Sequence, residues 1–238
     1  MAGPVTHIVL ALKMFPLLAG FFDKTEFLVG TSFPDIRHLA HLSREETHLE
    51  PVSWEHVLHA ESSFKAGMLF HNLVDHARLD YFAGNYFDEN QPSRADNSLY
   101  YSLYPIAQKM VEDAFMYPLC QEWPAIIELF DKVYTQELEL CHDEEIVKNW
   151  HTLLRNYFAY EPTLESTENF LKGVGNLYLM MDVETFNPYE KLQNLFANQD
   201  FYQAVYRFYD IFGVLIGLEK YEKIDSLHSR IGYPVACW

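Results

Sequence analysis

Cysteine is nearly absent. The 238 residues contain three, Cys120, Cys141 and Cys237, with no Cys-x-x-Cys spacing. A sparse, odd count fits reduced thiols in a cytoplasmic setting better than a disulfide framework. Basic residues are also scarce, 17 Lys and Arg against 34 Asp and Glu, a formal charge of −17. That balance argues against nucleic-acid binding, which needs a basic surface to displace phosphate counterions, and against docking on anionic lipid. No stretch reaches the roughly 18 apolar residues that span a bilayer. The apolar runs Ile8 to Leu12 and Met14 to Phe22 are interrupted by Lys13, and no Lys or Arg precedes them. They read as a first helix rather than a secretory signal. Strand-like alternation is scarcely visible, and no internal repeat, low-complexity tract or linker stands out.

What is present is enough apolar and aromatic material for a large core: 49% of residues are hydrophobic and 16% are Phe, Tyr or Trp. Disorder does not fit such a composition. Helical periodicity places a first helix at about Thr6 to Phe15, after Pro4 and ended by Pro16. Phe33-Pro34-Asp35 reads as a break, because the residue before proline is pushed out of the helical region. Residues 37 to 52 read as short turns and loop. Ser53 or Ser62 is placed to cap the helices leading into one that ends near Phe82. Asn85 to Asn97 reads as an exposed loop. Amphipathic segments follow at about 98–116, 123–141, 143–160, 165–181, 188–196 and 199–221. The expectation is one all-α, multi-helix domain over residues 1–238, with a metal site between its N-terminal helices.

Eight of the eleven histidines fall in the first 76 residues: His7, His38, His41, His48, His56, His59, His71 and His76. His71 and Asp75, four apart, project from one helix face, with Phe64, Met68, Leu79 and Phe82 at related steps. Desolvating both without partners costs several kcal/mol, and one metal ion satisfies them together. A buried hydrogen-bonded pair is the plainer alternative. His7 repeats the anomaly on the apolar stripe of Leu10, Ala11 and Met14. Asp35 follows the Pro-enforced break and is placed either to act at the site or to cap a helix from Ile36. His76 and Asp80 share the four-residue spacing, either as a second metal site or as a solvated pair. His56 and His59 read as surface residues or as substitutes for His48, and the remaining histidines, His142 and His228 among them, read as structural or exposed. Arg37, Arg44 and Arg78 lie near the candidate ligands and read as partners of nearby acids or of a phosphate.

A histidine near the start, then Gly30-Thr31-Ser32-Phe33-Pro34-Asp35, then Arg44-Glu45-Glu46-Thr47-His48, then Gly67-x-x-x-His71-x-x-x-Asp75, resembles the zinc-dependent phospholipase C family and its related single-strand-specific zinc nucleases. The resemblance covers about a third of the chain, roughly residues 5 to 82. It implies an all-helical fold in which His7, Asp35, His48, His71 and Asp75 face one metal centre, with Asp35 as ligand, general base or both. It also implies phosphoester hydrolysis by metal-activated water. Two features depart from the family. The later His-x-x-x-Glu pair is missing, since His142 has Glu145 at three residues and His151 has Arg155 at four. Met1 lies too close to His7 to copy the terminal-amine ligand of secreted members. The expectation is therefore one or two zinc ions, not three, with another divalent metal open. The expected ligand is a small-molecule or lipid phosphoester. The rival is a helical metal-binding or interaction protein that kept the fold and lost the trinuclear chemistry.

Overall fold

The computed structural model describes residues 2–50, 52–85, 100–163, 165 and 197–218. It is all-α, with no strand among the described residues. The expected loop at Asn85 to Asn97 beyond its first residue, the segments at 165–181 (all but residue 165) and 188–196, His228 and Cys237 lie outside them. Helix α1 runs Pro4–Met14, with Pro4 inside its first turn rather than ahead of it, where the missing N–H costs nothing. A 3-10 turn, Phe15–Leu17, carries Pro16 and ends it. Helix α2 spans Lys24–Ser32, capped by the Asp23 carboxylate on Glu26 N. The Phe33-Pro34 break becomes a 3-10 turn at Pro34–Ile36. Short helices α3, Arg37–Ala40, and α4, Arg44–Thr47, follow. Helix α5, Trp54–Leu58, is capped by Ser53, and Ser62 Oγ accepts from Lys65 N at the start of α6, Ser63–Asn85.

Later helices are α7, Tyr100–Met116, α8, Trp123–Leu129, α9, Thr135–Cys141, α10, Glu144–Phe158, and α11, Gln199–Leu215. The single amphipathic segment expected over 123–141 is thus two helices. The division comes from a reciprocal cap at Tyr134: its N–H donates to Glu137 Oε2 at 2.9 Å, so α9 begins afresh there.

Helix α1 is buried on almost every side, from Val5 to Ala11 and again at Met14. A helix without a solvent face belongs to the interior, and α2, α6, α7 and α11 pack around it. The interface of α2 with α6 is the most intimate, because Gly30 lies against the α6 backbone at Phe64 and Gly67 against the α2 backbone at Phe27, Gly30 and Thr31. Aromatic rings fill the space beside it: Phe27 with Phe70 at 5.4 Å, Phe33 with Phe64 at 5.2 Å, and Phe70 with Phe212 of α11 at 5.9 Å. Leu79 departs from the face expected for α6 and is exposed, while Arg78 beside it is buried. The reason is an ion pair: Arg78 Nε and Nη2 each donate to the Glu112 carboxylate of α7 at 2.6 Å. Among the described residues, no helix is long and apolar enough to cross a membrane.

Candidate metal centre

Three histidines reach the same point from three different local structures. His7 comes from the first turns of α1, and its ring Nδ1–H donates to Gly3 O at 2.9 Å. His71 comes from the middle of α6, with Nδ1–H donating to Thr31 O at 2.9 Å. That carbonyl lies in the last turn of α2, where helix geometry leaves oxygens without an intrahelical partner. His48 is the residue after α4, which opens with the Ser43–Glu46 capping box. Its Nδ1 meets Thr47 Oγ1 at 2.9 Å. The same Thr47 hydroxyl lies 3.4 Å from Ser43 O, so it ties the His48 ring to the start of α4.

Nδ1 of His7 and of His71 each faces a carbonyl and is held as a donor, which turns their Nε2 atoms, with that of His48, toward the shared space. All three Nε2 atoms are buried and have no hydrogen-bond partner. They face one carboxylate. Asp75 Oδ1 lies 3.4 Å from His7 Nε2, and Asp75 Oδ2 lies 3.8 Å from both His48 Nε2 and His71 Nε2. The His7 and His71 rings stack in parallel at 3.8 Å, and His48 meets His71 edge-on at 5.1 Å. Asp35, on the Pro34–Ile36 turn, completes the group with a buried Oδ1 that nothing bonds. Its side chain does not cap the helix after Ile36.

Two overlapping triads have ligand atoms within 4.8 Å of one another: His7, His71 and Asp75, and Asp35, His48 and His71. All five residues expected at one centre are brought together. His76 and Asp80 are not: both are exposed, and His76 Nε2 pairs with Glu50 Oε1 at 2.6 Å. His38, His41, His56 and His59 stay outside the triads as well.

The electrostatics are those of a site full of acceptors. Burial lowers His48 to about 4 and His71 to about 3, so both imidazoles are neutral near pH 7. Burial pushes Asp35 upward, but His71, His7 and Lys109 outweigh it and hold the carboxyl at about 2. Asp75 resists the same burial: the chain's amino-terminal charge and the His7 contact keep it well below the usual carboxylate range. Among described donors, the Ala2 N–H reaches Asp75 Oδ1 at 2.5 Å. Three unbonded imidazole Nε2 atoms and two carboxylates thus converge with very little hydrogen to share. Such a set fits a divalent cation with nitrogen and oxygen preferences.

Helix α7 adds groups that sequence reasoning missed. Asp113 is buried and accepts from Thr6 N at 2.8 Å, Thr6 Oγ1 at 2.7 Å, Val5 N at 3.2 Å and the Tyr157 hydroxyl at 3.1 Å. It pins the start of α1, and with it His7. Lys109, one turn earlier, acts electrostatically on Asp35 and Asp75. The signal was the one that exposed His71, polar residues at helical spacing among apolar ones. A second buried pair, His151 Nε2 with Glu137 Oε1 at 2.7 Å, joins α10 to α9 away from the cluster. In comparisons with known proteins, no family model, no curated protein and no solved structure matches the chain.

Proposed function

We propose that His7, Asp35, His48, His71 and Asp75 form a zinc site, and that the protein is a zinc-dependent hydrolase of phosphoesters resembling the phospholipase C family. The observation that carries the reading is the set of three orphaned Nε2 atoms facing two ionised carboxylates in a buried space. Burying acceptors against acceptors is costly, and neither His48 nor His71 takes a proton near neutrality to relieve it. His71 offers one Nε2 to two triads, so it serves a single ion. Asp75 turns one oxygen toward His7 and the other toward His48 and His71, an orientation that suits either one shared ion or two ions spanned by the carboxylate. One or two ions fit the donors.

A bound divalent ion lowers the pKa of water to near neutrality and stabilises charge on a phosphoryl oxygen. Asp35 serves first as a ligand, because a carboxylate held at about 2 is a poor proton acceptor near pH 7. Its partial exposure, beside four buried ligands, makes its side of the cluster the route for a substrate. A second reading has its own support. His7, His48, His71 and Asp75 are all 3% exposed or less, and a closed set of four protein donors is the pattern of a structural metal.

Elemental analysis of protein purified without a metal-affinity tag tests the site, with near-stoichiometric zinc expected. His71→Ala is expected to weaken zinc binding by more than about 100-fold, since even the partners that orient a ligand contribute 10–100-fold. Protein that binds no zinc at micromolar concentration overturns both readings. A panel of phosphomonoesters, phosphodiesters and phosphatidylcholine vesicles then separates them. Turnover that is lost in Asp35→Asn supports the hydrolase, whereas zinc without turnover favours the structural site.

A further inference from the structure

We propose that Lys109 is the anion-binding residue of this centre, its ammonium group holding a phosphoryl oxygen of the ligand beside the metal cluster. The inference rests on the zinc reading and deepens it by naming the charge the ligand must carry.

Placement comes first. Lys109 lies one helical turn before Asp113, which is tied to the start of α1 through Val5 and Thr6, and three residues before Glu112, which grips Arg78 of α6. These two buried anchors fix that stretch of α7 against the helices that carry His7 and Asp75. The carboxylates acting most strongly on Lys109 are Asp35 and then Asp75, both members of the cluster.

The two cations that α6 and α7 bring to this region differ in their state. Arg78 is saturated by a bidentate pair with Glu112 at 2.6 Å and 2.6 Å. Lys109 sits in a largely buried position and makes no hydrogen bond or ion pair among the described residues. An ammonium group has three donors, and none of those of Lys109 is taken by an acceptor among the described residues. A ligand oxygen can take one of them without displacing any described protein contact. The position also suits entry, because Lys109, Asp35, Arg37 and His38 are partly exposed and within electrostatic reach of one another. The four other ligands are buried. With a formal charge of −17, the chain repels anions at long range. A cation beside the metal offsets that repulsion locally, and a tetrahedral oxyanion has oxygens enough for both.

The test uses the zinc-loaded full chain and inorganic phosphate, titrated calorimetrically into wild type, Lys109→Met and Lys109→Arg. Zinc affinity is measured on the same three proteins. Lys109→Met is expected to bind zinc at least as tightly as wild type and phosphate about 10- to 100-fold more weakly, the scale of one charge-assisted hydrogen bond. Lys109→Arg should recover most of the phosphate affinity. Equal phosphate affinity in wild type and Lys109→Met overturns the inference and leaves Lys109 as a counter-charge for Asp35 and Asp75. Zinc binding without phosphate binding in wild type overturns it too, while sparing the metal site. Failure of wild type to bind zinc removes the zinc reading and this inference together. Should Lys109→Met fold poorly by circular dichroism, Lys109→Gln gives the same comparison.

Discussion

Gly3 provides no side chain to cap α1, and Asp113 of α7 supplies the missing acceptor from over a hundred residues away. Burial pushes this carboxyl up to about 6, against the hydrogen bonds from Thr6, Val5 and Tyr157 that favour its ionised form. A carboxyl with a raised native value favours the protonated folded state. Its effect on stability is therefore most favourable below the unfolded value near 4 and is lost as pH rises through 6. Between pH 5 and pH 7 this amounts to about 1 kcal/mol. Wild type is expected to lose that much relative to Asp113→Asn, as read by urea unfolding at the two pH values. A difference between the proteins that stays constant with pH would show that Asp113 is already ionised throughout. Much of the site was legible at this scale, because His7, His71 and Asp75 are polar residues on apolar helical stripes. Spacing alone says which face a residue shares, not what the face meets. His76 and Asp80 have the same spacing as His71 and Asp75 yet point to solvent, and Asp113 and Lys109 matter only because α7 folds back onto α1.

Gly30 and Gly67 are where α2 and α6 touch. A Cβ on Gly30 would fall on the Phe64 carbonyl, and one on Gly67 on the Phe27 carbonyl. Both obstacles are backbone, which cannot rotate aside. Thr31 O, which orients His71, is one residue from Gly30, so the interface sets the site as well as the packing. Gly67→Ala is expected to cost about 3 kcal/mol, the upper range for overpacking, and to weaken zinc binding in the protein that still folds. Gly20 has open space around it, and Gly20→Ala should change the urea midpoint by no more than about 0.5 kcal/mol equivalent. A Gly67→Ala protein as stable as Gly20→Ala would mean that the helices can separate without penalty. Element boundaries were readable where a proline or cap residue stands, as at Pro16, Pro34 and Ser53. The start of α9 escaped notice because its cap is a tyrosine with Glu137, a pairing outside the usual Ser, Thr, Asp and Asn signals.

The five candidate ligands come from α1, the Pro34–Ile36 turn, the end of α4 and the middle of α6, so any ion they share links four separate pieces of the N-terminal region. The unfolded chain does not hold these donors together, and binding to the folded state alone adds directly to folding stability. At free zinc 100 times the dissociation constant the addition is about 2.7 kcal/mol, which for a chain of this size raises the melting temperature by roughly 5–10 °C. The expected result in thermal scans is a midpoint that drops on chelation and rises with the logarithm of added zinc. His71→Ala should flatten that dependence, because it removes the one residue common to both triads. His76→Ala should preserve it in full, since His76 is paired with Glu50 at the surface. The net charge of −17 draws cations to the whole surface. Repeating the scans in 0.5 M salt separates that diffuse attraction, which is screened, from coordination in a buried site, which is not. A zinc-dependent shift that disappears in salt, or that survives His71→Ala, would place the metal on the acidic surface instead of among the buried histidines.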